Sequence, residues 1–292
     1  MRVLVAGATG AVGRPLVPLL VAAGHEVTAV SRTPAGVERI RGLGAKGVRA
    51  DALDAPALRH AVGAASPEVV IHQLTDLSAA DGTANGRLRR EGTRNLVEAA
   101  KAAGVGRIVA QSISWAYAPG EGPAGEPVPL DGTAAEPRAR MVAAVRSLEE
   151  TAAELETAVV LRYGLLYGPG TWYAPGGALA AALAGDRSAR FLGSTVANDA
   201  VSSFVHVADA ARAVVAALDW PGGPVNVVDD EPAPAHQWLP ALADALGVPA
   251  PEPVAGRQEW ERGALNALAR SRGWRPERPT WRTGFMDQLD RS

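Results

Sequence analysis

The stretch Gly7-Ala8-Thr9-Gly10-Ala11-Val12-Gly13 follows a short apolar run, Arg2-Val3-Leu4-Val5-Ala6, and leads straight into an amphipathic segment. A strand that ends in a glycine turn and restarts as a helix leaves the helix's first N–H groups pointing at one place, where a phosphate is favoured. Each glycine has a mechanical task. Gly7 permits the tight turn, Gly10 lets the backbone approach a pyrophosphate, and Gly13 lets helix pack on strand. Thr9, Ala11, Val12 and Arg14 complete the predicted cradle, and Pro15 falls in the first helical turn, where its missing N–H costs nothing.

The rest of the first half repeats the strand-then-helix rhythm of a parallel sheet covered on both faces. Strands are predicted at Arg2-Ala6, Glu26-Val30, Gly47-Ala50, Glu68-His72, Arg107-Gln111 and Val159-Arg162, and helices at Ala11-Ala23, Ala55-Val62, Ala84-Ala103 and Ala139-Leu155. The fold class is therefore α/β: a doubly wound parallel sheet of the Rossmann kind with a smaller, discontinuous C-terminal substrate lobe. Residues 1–166 form the dinucleotide-binding core, 205–228 return to it through a strand near Val225-Val228, and 167–204 with 229–292 make the lobe. The Gly- and Pro-rich stretch Ala116-Pro137 is too long for a simple connection and is expected to wall an active site.

Composition narrows the partners. With 292 residues and 47% hydrophobic content the chain can bury a large core, and a net charge of -2 offers nothing to a nucleic acid. It has no cysteine, which excludes disulfides and thiolate chemistry. The start reads as a strand and not a signal peptide, and no apolar run approaches a membrane span, so a cytoplasmic protein with no membrane partner and a small-molecule substrate is expected.

The second strand ends in Val30-Ser31-Arg32-Thr33, without the acidic residue that would bond a free ribose hydroxyl. Ser31, Arg32 and Arg14 instead suit a 2′-phosphate, so NADP is the expected cofactor and NAD the alternative. Asp51 is placed to meet the adenine amino group, and Asp54 reads as the N-cap of the next helix.

With these motifs in order the chain resembles the extended and atypical short-chain dehydrogenase/reductases, the NAD(P)-dependent epimerase/dehydratase family, over nearly its whole length. The matching stretches are Gly7-Ala8-Thr9-Gly10, Asp51-Ala52-Leu53-Asp54, Val69-Val70-Ile71-His72, Gly92-Thr93-Arg94-Asn95-Leu96-Val97-Glu98-Ala99-Ala100, Leu161-Arg162-Tyr163-Gly164-Leu165-Leu166-Tyr167-Gly168-Pro169-Gly170 and Phe204-Val205-His206-Val207-Ala208-Asp209-Ala210-Ala211. The resemblance implies hydride chemistry at a sugar-like or ketone carbon. It assigns Ala52, Leu74 and Tyr163 to the cofactor alongside the glycine turn, and a homodimer is compatible with it. One departure is Arg89, three residues before Gly92, where the family usually has an asparagine.

A larger departure concerns the acid. The family pairs a proton-exchanging Tyr with a Lys four residues later. This chain has only Lys46 and Lys101, neither four residues after a tyrosine. If Glu149 is the family's later glutamate, Met141 and Val145 replace the pair; if Glu150 is, Val142 and Arg146 do, and Arg146 would hold the nicotinamide ribose. Ser112 or Ser114 is the expected contact to a substrate oxygen, and Tyr117 the nearest substitute acid, with Tyr163 and Tyr167 next.

His72 and His206 read as structural, while His25, His60 and His236 lack metal-ligand spacing, so no metal is expected. Most of the tryptophans read as core, with Trp115 and Trp172 as substrate contacts. Trp172, Tyr173, Arg187, Arg190 and Asn198 suit a sugar nucleotide or an aromatic compound. The expected function is an NADP-dependent oxidoreductase or epimerase with a rearranged acid. The alternatives are a non-redox elimination or cyclisation, and a non-catalytic NADP-binding redox sensor.

Overall fold

The computed structural model describes residues 1–76, 82–186 and 195–286. Two compact units emerge, Met1–Ser112 with Ala134–Leu161 and Ala211–Val225, and Ile113–Thr133 with Arg162–Ala210 and Asn226–Ser292.

In chain order the first part runs β1 (Arg2–Ala6), α1 (Gly13–Ala22), β2 (Glu26–Ser31), α2 (Pro34–Gly42), β3 (Lys46–Arg49), α3 (Ala55–Ala65), β4 (Val69–His72), α4 (Thr83–Arg87), a π-turn (Leu88–Gly92), α5 (Thr93–Ala102), β5 (Arg107–Ile113), α6 (Arg138–Ala152) and β6 (Thr157–Tyr163). It continues with β7 (Leu165–Tyr167), α7 (Ala178–Leu183), β8 (Val201–Ser202), β9 (Phe204–His206), α8 (Val207–Ala216), β10 (Gly223–Val227), β11 (Ala233–Pro234), α9 (Ala235–Leu246), α10 (Ala267–Ser271) and α11 (Trp281–Met286). Seven strands form one sheet in the order β10-β6-β5-β4-β1-β2-β3. β1 is parallel to β2 through Arg2↔Glu26 and to β4 through Val3↔Val69. This is the doubly wound Rossmann arrangement expected from the strand-helix rhythm.

The helices adhere because their apolar residues recur on one face. Leu96, Val97, Ala99 and Ala100 of α5 join Leu58, Ala61 and Val62 of α3 in one buried cluster with Leu4, Val70 and Ile108 of the sheet. Each fully buried Leu, Val or Ile there contributes about 1.5–3 kcal/mol before entropy is counted. Asp54 caps α3 by accepting from the Ala57 N–H at 3.1 Å, and Thr33 caps α2 from the Gly36 N–H at 3.1 Å.

The helix expected over Ala84-Ala103 is not continuous. A π-turn separates α4 from α5. Gly92 closes that turn, and a Cβ there would stand only 3.2 Å from Leu88 Cδ2 and 3.6 Å from Ala52 Cβ, so the absent side chain lets the turn press against Ala52.

The second unit has its own core, where Tyr167, Phe204, Trp238, Leu239, Leu242, Trp281 and Phe285 pack together. The long stretch expected as a wall is tied down within this unit. Asn226 Nδ2 donates to the carbonyls of Ala124 (3.1 Å) and Leu265 (3.0 Å), and Arg262 donates to those of Gly122 and Glu121 at 2.7 Å each. Among the described residues no helix is long and apolar enough to cross a membrane.

Candidate active site

The glycine turn caps the C-terminal end of β1. Gly7 adopts φ +98°, and a Cβ there would overlap the Gln73 carbonyl. At Gly13 a Cβ would come within 2.6 Å of Ala8 Cα, so only glycine lets α1 begin against the turn. Gly10 differs. It is exposed, and the nearest atom to a Cβ there is the Gly7 carbonyl oxygen at 3.3 Å, leaving open space on its outer side. The start of α1 has no side-chain cap and no acid in its first turn, so no carboxylate of the helix itself competes for its N–H groups. A pyrophosphate fits these residues.

Arg32, exposed at the end of β2, meets Asp76 at 3.4 Å. Sequence reasoning missed this acid because it comes from beyond β4, far along the chain. The pair is long and solvent-exposed on the arginine side, hence weak. Arg14 is exposed at the start of α1. Ser31 and Asp51 are partly buried, and Asp51 accepts from the Leu53 N–H at 2.9 Å. Ala52 is buried, and its carbonyl accepts from Asn95 Nδ2 at 2.9 Å.

At the end of β4 the buried His72 ring bonds Thr93 Oγ1 through Nε2 at 2.9 Å, and its Nδ1 accepts from the Leu74 N–H at 3.3 Å. Burial, with a smaller contribution from the Arg89 charge, holds its pKa down at about 4. The Leu74 carbonyl accepts from Gln111 Nε2 at 2.9 Å, fixing the loop after β4 to β5.

Ser112, near the end of β5, is buried and donates to Glu149 Oε1 of α6 at 2.6 Å. Glu149 thus turns toward the sheet while Glu150 is exposed, and the buried residues one and two turns earlier on α6 are Val145 and Val142. Met141 and Arg146 are partly buried. No lysine or tyrosine lies on this helix.

In the second unit Tyr117 is buried and donates to Asn226 Oδ1 at 2.6 Å, with the Arg162 guanidinium 4.9 Å from its ring centre. Burial pushes its pKa up. A phenol so held is a poor proton donor. Ser114 is also buried, yet its hydroxyl makes no hydrogen bond among the described residues, which leaves it available to a ligand. Tyr163 is buried at the end of β6, and Tyr167 lies in the aromatic core against Phe204 and Phe285. Trp172 and Asn198 are partly buried, Trp115 is exposed, and Arg187 and Arg190 lie outside the described residues.

A seven-stranded parallel sheet with an open glycine turn at the tip of its first strand defines a nicotinamide-dinucleotide-binding α/β protein of the extended short-chain dehydrogenase/reductase type. The model of the NAD dependent epimerase/dehydratase family matches residues 3–227, and the chain belongs to that family. It is 46% identical over 313 residues to a Streptomyces sp protein named 3-diazoavenalumate denitrifying reductase, covering 98% of this chain and 99% of that protein. It is 30% identical to a 2-alkyl-3-oxoalkanoate reductase of Stenotrophomonas maltophilia, covering 85% of this chain and 77% of the other. Among solved structures, the UDP-glucose 4-epimerase of Thermus thermophilus in complex with NAD superposes with a TM-score of 0.75 at 27% identity, over 99% of this chain and 98% of that one.

Proposed function

We propose that this protein is an NADPH-dependent reductase that replaces dinitrogen by hydrogen in an aromatic diazonium carboxylate, reacting at the carbon that bears the diazonium group. The observation that carries this reading is that α6 bears neither the tyrosine nor the lysine of the family's proton-exchanging pair. Glu149 faces the sheet, and taking it as the family's glutamate puts Met141 and Val145 in the places of the tyrosine and lysine. On this reading Arg146 is not the ribose-holding residue.

Reduction of a ketone leaves an alkoxide that an acid must protonate. Loss of dinitrogen has no such need. When bound, a reduced nicotinamide would supply the hydride for the new C–H bond, while the C–N bond would break and N2 would leave with that bond's electrons. The positive charge of the diazonium carbon is cancelled by the hydride, so charge and atoms balance without a proton. What the chain must do is hold the partners and keep water away, since water captures a diazonium carbon. Apolar Val145 and Met141 suit that task better than a hydrated tyrosine-lysine pair. The 46% identical relative carries this activity in its name. Arg32 and Arg14 favour the 2′-phosphate of NADPH, with Arg32 leaving Asp76 to take it.

The test uses NADPH deuterated at C4 and an aromatic diazonium carboxylate. One deuterium per product from the cofactor, none from D2O, and one N2 per NADPH oxidised are expected; label arriving from solvent, or oxidation without N2, would sink the proposal. Carbonyl reduction is the second reading, favoured by the uncommitted Ser114 hydroxyl and by the oxoalkanoate reductase relative. It predicts NADPH oxidation with a ketone and no gas.

A further inference from the structure

Arg89 stands on the π-turn, partly buried, where α5 and α6 both pack against that turn. Among the described residues no carboxylate pairs with it. Glu91, two residues on, is paired with Arg87 at 2.8 Å. Thr93, which follows the turn directly, bonds the His72 ring at 2.9 Å, so the turn stands beside the end of β4, and the Arg89 charge adds a little to the burial that keeps the ring neutral. Removal from water has pulled the guanidinium itself down to about 10. A guanidinium drawn partly out of water, with no anion beside it among the described residues, costs the fold free energy that a ligand's anion would offset.

Its place in the sheet says which anion. β1 and β4 are neighbours, with Ala6 opposite His72, while the chain leaves β1 toward β2 on the other side. That reversal is the switch point of a doubly wound sheet, and a ligand binds outside the strand ends there. Gly7 follows Ala6 directly, so the phosphate turn lies on the β1 side and the Arg89 charge on the β4 side. Arg32 lies beyond, at the end of β2, the place for the adenosine end.

We propose that Arg89 is a second phosphate seat, closing on the pyrophosphate of the dinucleotide from the β4 side while the glycine turn holds it from the β1 side. The inference rests on the cofactor assignment above and adds a residue that the glycine motif does not contain. A charge-assisted pair of this kind changes affinity by roughly 10- to 100-fold.

The experiment measures calorimetric affinity of wild type, Arg89→Gln and Arg89→Lys for NADPH, NADH and 2′-AMP, which carries the 2′-phosphate and no phosphate on the 5′ side. Arg89→Gln should weaken NADPH and NADH by the same factor, leave 2′-AMP unchanged, and raise the melting temperature of the ligand-free protein. Arg89→Lys should keep most of the affinity and guards against a glutamine variant that does not fold. Loss confined to NADPH and 2′-AMP would move the seat to the 2′-phosphate and overturn the proposal. Unchanged nucleotide affinity with a raised KM for an aromatic diazonium carboxylate would give the seat to the substrate and overturn it too, as would no change at all. Wild type that binds no dinucleotide would instead remove the cofactor assignment itself.

Discussion

At the scale of single residues, the useful distinction is between polar groups already committed and those left open. Tyr117 spends its hydroxyl on Asn226, which in turn holds two backbone carbonyls, so the phenol belongs to a buried network. Tyr117→Phe should lower stability by about 1–2 kcal/mol in urea titration and change turnover less than twofold. A loss of a hundredfold or more in turnover with the fold intact would return the phenol to the chemistry. At the other end of the cradle, Asp76 neutralises Arg32 before any ligand arrives. Asp76→Asn should therefore tighten NADPH relative to NADH by a few-fold, an effect that fades at high salt because the pair is exposed. Equal gains for both nucleotides would show that Arg32 does not meet the 2′-phosphate.

Among the elements, α1 and its turn separate two kinds of glycine. Gly13→Val should fail to fold, because its side chain would be driven into the backbone of Ala8. Gly10→Val should fold, with near-native circular dichroism and melting, and lose dinucleotide binding, because its side chain points into the open space a pyrophosphate needs. Binding retained by a folded Gly10→Val protein would make the turn purely structural. Much of this was legible in the sequence: β1, the glycine turn, the Asp54 cap and the α3 and α5 faces each announce themselves within a dozen residues. What was not legible depends on distance or phase. The π-turn interrupts a stretch whose apolar spacing looks helical throughout, since one inserted residue hardly alters the pattern. The choice between Glu149 and Glu150 is a rotation of about 100° around α6, which spacing alone does not fix; the Ser112 contact shows only that Glu149 is the one turned toward the sheet. Asp76 meets Arg32 only because β2 and β4 both border β1.

For the whole molecule, the two units carry opposite responses to pH. His72, in the first unit, has its pKa held at about 4 against an ordinary 6.5, so the unfolded chain takes up a proton that the folded one refuses, and stability is lost as pH falls from 6.5 toward 4. Asp229, in the second unit, is buried and its carboxyl is pushed up to about 8 from an ordinary 3.8, mainly because burial disfavours its charge. Here the folded chain keeps a proton that the unfolded one has released. Stability from this group is lost as pH rises from about 4 to 8, and changes no further above that. Between 4 and 6.5 the two slopes oppose each other; from 6.5 to 8 only that of Asp229 remains, with a limit of about 1.4 kcal/mol per pH unit. Six of the seven tryptophans, all but Trp220, lie in the second unit, so their fluorescence reports its melting. Tryptophan-detected unfolding should therefore shift to lower temperature from pH 6.5 to 8 in the wild type. In Asp229→Asn, which cannot ionise and keeps a similar shape, the same transition should hold still over that range. A wild-type transition as flat as the variant's would mean that Asp229 is already charged in the folded protein and that its surroundings pay no penalty for the charge.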